Sequence, residues 1–246
     1  MESLSLLGLI AGTLVLAGLV KGVIGGGLPS ITIGVLSLVM PIPQAAAIAV
    51  LPSFVTNVWQ SFGKNFVPLM RRLWLMLAGI CLGAYLGAGL MTGAYSEWAR
   101  IGLGVCLAIY GAIGLFKLRL SLPRASEFYV APLVGIATGF IAAGTGIFVI
   151  PSGPYLQAIG LEKDELVQAL GITFTVSTVL LAGIVAHAGT VQTSLLVPTF
   201  VALVASLAGM WLGQRFRSRL PEETFRRYFY AGMLLLGADL ALHHLF

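Results

Sequence analysis

The sequence predicts an all-α polytopic membrane protein folded as two inverted-topology repeats, each a glycine-broken helical hairpin followed by three transmembrane helices. Three observations carry that expectation. Long apolar runs lack charge, the basic residues collect in three short segments, and one pattern of glycines and following helices occurs twice.

The apolar runs decide the class. Of 246 residues, 58% are hydrophobic and 9% are charged. Soluble domains carry about 25% charged residues. Ser3–Val20, Gly22–Gly63, Leu73–Ser96, Ile101–Phe116, Phe128–Leu161 and Leu166–Gln214 contain no acid, lysine or arginine. A helix of about 20 apolar residues crosses a hydrocarbon core. Strands of a membrane barrel would alternate apolar and polar residues, and these runs do not. Helical segments are therefore expected at 3–22, 28–42, 44–61, 73–93, 99–116, 128–143, 147–160, 166–187, 193–213 and 228–246.

The basic residues set the topology. They lie at Lys64, Arg71 and Arg72; at Lys117, Arg119 and Arg124; and at Arg215, Arg217, Arg219, Arg226 and Arg227. Short basic loops stay cytoplasmic. The net charge of +5 is read as this signal and not as a nucleic-acid footprint. Both termini then fall outside. The segment 128–161 must cross twice or not at all if the last basic loop is to return inside. Its 34 residues would make a continuous helix of about 51 Å, so a hairpin turning at Gly144-Thr145-Gly146 is expected. The N-terminal segment carries Glu2 in place of a basic start, which argues against a signal peptide. Cys81 and Cys106 lie in apolar runs and are expected to be free thiols.

The repeat follows the same plan in both halves. Gly25-Gly26-Gly27 interrupts Ser3–Ile42 as Gly144-Thr145-Gly146 interrupts Phe128–Leu161. Ala49–Phe54 matches Ala169–Phe174, Gly83–Gly87 matches Gly209–Gly213, and Ser96–Arg100 echoes Glu223–Arg227, at offsets of 119 to 127. Residues 1–120 and 121–246 are the expected repeats of one transmembrane domain. The loop rule orients them oppositely. Paired broken helices in inverted repeats are the layout of secondary transporters, with the site at the repeat interface.

These features resemble the TauE/SafE family of membrane transporters, the sulfite exporter or toluene-sulfonate uptake permeases. The resemblance covers nearly the whole chain and rests on Gly18–Pro29, Pro41-Ile42-Pro43-Gln44-Ala45, the second-half copy Gly139–Pro151, and Gly83–Gly87. It implies sulfur-containing anions as substrate: sulfite, sulfoacetate or related organosulfonates. The second break, Gly-Thr-Gly, departs from the triple glycine of the first.

The residues themselves suggest where an anion would bind. A helix N-terminus offers unpaired N–H groups and a positive dipole end, and glycine lets a ligand approach closely. The candidate substrate site is therefore Gly25, Gly26, Gly27, Leu28 and Ser30 with Gly144, Thr145, Gly146 and Ile147. Ser53, Thr56, Asn57 and Gln60 share a helical face, and Thr173, Thr175 and Ser177 lie on its counterpart. Hydroxyls in membrane helices often bond their own backbone instead. Lys21 is functional if the first hairpin is re-entrant, and a surface anchor if both segments span fully. Asp239 and His187 are read as interfacial, and Arg100 and Arg227 as surface anchors. Neither a metal site nor a cofactor is expected. A proton or sodium coupling ion, a homodimer and a passive channel stay open. An enzyme is disfavoured, since Ser152 is the one nucleophile to nominate and lacks a G-x-S-x-G context.

Overall fold

A computed structural model describes residues 2–91, 96–116, 121–189, 193–216 and 222–242. The helices are α1 (Glu2–Ile24), α2 (Leu28–Leu36), α3 (Ile42–Ser61), α4 (Phe66–Leu86), α5 (Ser96–Leu115), α6 (Arg124–Thr145), α7 (Ser152–Ala158), α8 (Lys163–His187), α9 (Leu196–Phe216) and α10 (Glu222–Leu242). Among the described residues, seven of them are long and apolar enough to cross a membrane: α1, α3, α4, α5, α6, α8 and α9. With no water in the bilayer core, helices satisfy their own backbone groups. Outward faces are correspondingly greasy, with Trp59, Trp98, Trp211 and Phe200 exposed.

The ten expected segments appear in order, with altered ends. The chain is already helical from Phe66, so Arg71 and Arg72 lie on α4 and not in a loop. Arg72 is held there by two bonds to Glu127 of α6, at 2.9 and 2.6 Å, and by the Ile159 carbonyl at 2.8 Å. α6 starts at Arg124, directly after Pro123, and α10 starts at Glu222. The run 28–42 is helical only to Leu36 before an irregular stretch to Pro41. The second hairpin differs most. α6 continues through Gly144 and Thr145, and α7 begins only after Pro151.

Small residues hold the bundle together. Gly18 and Gly22 of α1 meet α9 at Ser206, Met210 and Gly213, and Gly209 meets Val15 and Leu19. Gly135 and Gly139 of α6 meet α4 at Met76, Gly79, Ile80 and Ala84. A β-carbon at Gly83 would lie 2.0 Å from the Ile136 carbonyl oxygen, so these seams require glycine. In lipid, where apolar side chains gain little from leaving the solvent, such close backbone packing drives helix association.

The rising register within each seam shows that α1 runs parallel to α9, and α4 parallel to α6. α3 and α8 instead run antiparallel: Asn57 bonds Thr178, while Ser61 bonds Thr175 and Gln168. α5 and α10 are also antiparallel, with Gly104 against Gly237 and Ala241 and Gly114 against Tyr230. These directions bring residues 62–65, Arg124, Gln214 and Phe116, which flank the three basic segments, to one end of the bundle. Ala88, Gly89 and His187 lie at the other. Exchanging α1–α5 with α6–α10 leaves the main packing partners unchanged: α1·α9 becomes α6·α4, and α3·α8 and α5·α10 map onto themselves.

Candidate functional site

The two breaks share one local device. α1 ends at Ile24 and Gly25 turns at φ 90°; α6 ends at Thr145 and Gly146 turns at φ 74°. Each glycine donates its amide to the carbonyl four residues back, Gly25 to Lys21 and Gly146 to Ala142, both at 2.8 Å. The left-handed conformation is strained for any residue with a β-carbon. Gly25 and Gly146 thus share one backbone turn, 121 positions apart. The alignment of Gly25-Gly26-Gly27 with Gly144-Thr145-Gly146 is off by two residues, because Gly144 and Thr145 complete the last turn of α6.

Only the first break leads into a helix N-terminus. Leu28 opens α2 directly after Gly27, which is itself at φ 94°. Ser30 lies in that first turn, and Pro29 has no N–H to offer. Ile147 is not at a helix N-terminus; residues 147–151 are irregular. The residue before a proline is biased away from the helical region, and Pro151 precedes the seven-residue α7. The expected backbone donors after the second break are therefore not organised as a helix end.

The breaks also face opposite ends of the bundle and do not meet. Gly25 lies by Gln60 and Val167, where α3 ends and α8 begins, whereas Gly144 and Gly146 lie by Leu90 and Met91, beyond the end of α4. Buried side chains link them: Ile33 packs on Gly146, and Phe174 reaches Gly26 while its ring lies 5.1 Å from that of Phe148.

What the structure does bring together is Lys21 with α3 and α8. Lys21 is 2% exposed, one turn before Gly25. α1 is long enough to span and yet its lysine is buried, so the surface-anchor reading is corrected. Lys21 Nζ donates to Asn57 Oδ1. Asn57 Nδ2 in turn donates to Thr178 Oγ1 at 3.2 Å, and Thr178 donates to the Phe174 carbonyl at 2.6 Å. No carboxylate among the described residues pairs with Lys21. Its counterpart by the Gly25–Gly146 relation is Ala142, so the two halves differ at this point.

Around that chain lie buried hydroxyls of two kinds. Thr56, Ser61, Thr175 and Ser177 bond carbonyls of their own helices. Ser30, Ser53 and Thr173 are at most 1% exposed and their hydroxyls have no partner; Thr138 of α6 is a fourth such group, with no role assigned. Ser53 lies one turn before Asn57 on α3, Thr173 one turn before Ser177 on α8, and Ser30 on α2, which packs against α3. Leaving a buried hydroxyl unpaired costs about 1–3 kcal/mol. Ser53 is the unpaired donor nearest in register to Asn57, whereas Thr173 lies level with Ser61, on the other side of the Asn57–Thr178 contact. Gln60 straps the site from below, donating to the Gly25 and Val167 carbonyls at 2.8 and 2.7 Å.

The sequence matches the family model described as Sulfite exporter TauE/SafE over residues 10–240. The chain belongs to that family. It is accordingly a multi-pass membrane protein of a transporter family named for sulfite export. Neither curated proteins nor solved structures yield a match.

Sequence reasoning singled out Lys21, Asn57, Ser30, Ser53 and Thr173, all of which are buried in this family member, but not Thr178. Its signal was the 121-residue spacing itself: adding 121 to Asn57 gives Thr178. A cleft of about 310 Å³ between α4 and α8, lined by Cys81, Tyr85, Leu180 and His187 among others, opens at the end away from the basic segments. Below it Ala84, Ala142, Leu181 and Ile184 close down around Ser177, leaving no water-sized space. Asp239 is exposed on α10 and His187 at the end of α8.

Proposed function

We propose that this protein is a secondary carrier that moves a small sulfur oxyanion, sulfite or a related organosulfonate, by alternating access. Lys21 and Asn57 hold the anion, with Ser53 one turn along α3 as a further donor. The observation that carries this reading is Lys21: a buried cation with an amide as its hydrogen-bond partner and no carboxylate. A charged group in the membrane interior is costly and marks a substrate or ion path by default. A pyramidal or tetrahedral oxyanion would compensate the ammonium, and its remaining oxygens call for a nearby hydroxyl donor such as Ser53, one turn from Asn57.

We read residues 1–120 and 121–246 as repeats related by a two-fold axis in the membrane plane. Two self-paired contacts that run antiparallel, α3 with α8 and α5 with α10, support it, because an axis along the membrane normal would leave them parallel. On this reading Asn57 and Thr178 sit near the axis, at the midplane, where such carriers place their substrate. Exchange of the two half-bundles around that point would open the site to each side in turn.

The test is solute counterflow in proteoliposomes. Vesicles preloaded with unlabelled sulfite should transiently concentrate labelled sulfite above equilibrium, with saturable kinetics. A passive channel gives neither, and that outcome would refute the carrier.

A further inference from the structure

We propose that Lys21 is also the coupling group of the transport cycle, carrying one proton with each anion. This rests on the reading of Lys21 as the anion's partner and adds what happens when the anion has left.

The argument begins with the company Lys21 keeps. α2 and α3 contribute no titratable side chain at all. α9 packs along α1 and carries Arg215, which is exposed and lies over the Trp211 ring at 5.7 Å. α8 reaches Lys21 through Thr178 and Asn57; its Asp164 and His187 are exposed at its two ends, half-buried Glu165 accepts from the Glu162 amide in the first turn, and the Lys163 side chain lies outside the described residues. α10 carries Arg227, Tyr228 and Asp239, all exposed, and Tyr230, whose ring meets Tyr110 of α5 at 5.3 Å; the side chains of Glu222, Glu223 and Arg226 lie outside the described residues. Among the described residues no side chain can therefore serve as a permanent counter-ion to Lys21.

Two states of the carrier follow. With a monovalent anion bound, hydrogensulfite or an organosulfonate, the ammonium is compensated, and the loaded carrier reorients as a neutral pair. With the site empty, the ammonium would have to reorient inside the protein with only the Asn57 amide to offset the loss of hydration. A buried charge left without its partner is heavily penalised, and lysine responds to burial by giving up its proton. The empty carrier returns as the neutral amine, after Lys–NH₃⁺ has become Lys–NH₂ and passed its proton to water on the side where the anion left. Asn57 Oδ1 accepts a hydrogen bond from either form, so the local geometry survives the change. Anion and proton thus travel together, and the net direction is set by the sum of their two gradients. Arginine cannot be deprotonated in a protein, so Lys21→Arg separates binding from coupling.

The experiment uses sulfite and the full-length protein in proteoliposomes, with the membrane potential clamped and a pH gradient imposed. Wild type should accumulate sulfite on the alkaline side and acidify that compartment as it does so. Lys21→Arg should slow sulfite exchange, and whatever exchange it retains should proceed without pH-driven accumulation. Sulfite's own ionisation is common to both proteins, so the contrast isolates Lys21. Wild-type-like pH-driven accumulation in Lys21→Arg overturns the coupling role. If the arginine variant fails to fold, wild type alone decides: sulfite influx without dye-reported proton entry equally overturns it. Unaltered sulfite binding in Lys21→Met would instead remove the anion site on which the proposal stands.

Discussion

Replacing Asn57 by alanine tests the buried contact at the centre of the molecule. The substitution removes the acceptor of Lys21 and the donor to Thr178. A hydrogen bond to a charged group is worth about 1.5–3 kcal/mol and a neutral one about 1, so Asn57→Ala should cost about 2.5–4 kcal/mol of stability. Lys21→Met removes the buried charge and keeps most of the volume. Exchanging buried ions for apolar groups is often neutral or stabilising, and here the gain is offset by the Asn57 oxygen left unpaired. In the Lys21→Met background, Asn57→Ala should then cost only about 1 kcal/mol, the bond to Thr178. The double-mutant cycle, read by SDS-induced unfolding in mixed micelles, should give a coupling of about 2 kcal/mol or more, well above the roughly 0.5 kcal/mol within which independent sites add. Equal costs of Asn57→Ala in both backgrounds would show that Lys21 does not bond Asn57.

Other consequences follow from the same structure. Ser53→Ala with Thr173→Val should leave stability unchanged or improved, because each removes an unpaired hydroxyl; each should weaken sulfite binding by about tenfold if it donates to the anion, and a calorimetric titration showing wild-type affinity would exclude both from the site. Gly83→Leu should abolish folded protein in detergent by size-exclusion chromatography, since even a β-carbon there would overlap the Ile136 carbonyl, while Gly12→Ala, with nothing within 4 Å, should be neutral. With Cys81 and Cys106 replaced by serine, single cysteines at Ser121 and Ala188 should react with an impermeant maleimide from opposite sides; same-side labelling would contradict the inverted arrangement.

Much of the fold was legible because apolar length, glycine and basic residues each report a single physical constraint. Ten helices and two breaks follow from what lipid does to an unpaired backbone group. The helix ends were less legible. Arg71 and Arg72 read as loop because charge usually marks the membrane surface, whereas Arg72 is tied down by Glu127 and a carbonyl contributed by the second hairpin. The second hairpin misled for a different reason: Pro151 delays α7, so Ile147 never becomes a helix start. Asn57 and Lys21 were visible as rare polar residues in apolar runs, but their contact spans 36 positions and depends on the long Lys21 side chain reaching α3, against which α1 does not pack directly. No local pattern encodes that. The expected reliance on backbone donors gave way for the same reason, once Lys21 proved to be inside.

The most direct test of the central claim is sulfite binding to purified wild type and Lys21→Met, followed by thermal stabilisation and calorimetry in the same detergent. Sulfite should raise the unfolding temperature of wild type in a saturable way and leave Lys21→Met unmoved, although the variant is folded. Equal affinity of the two proteins for sulfite would show that the anion is held elsewhere.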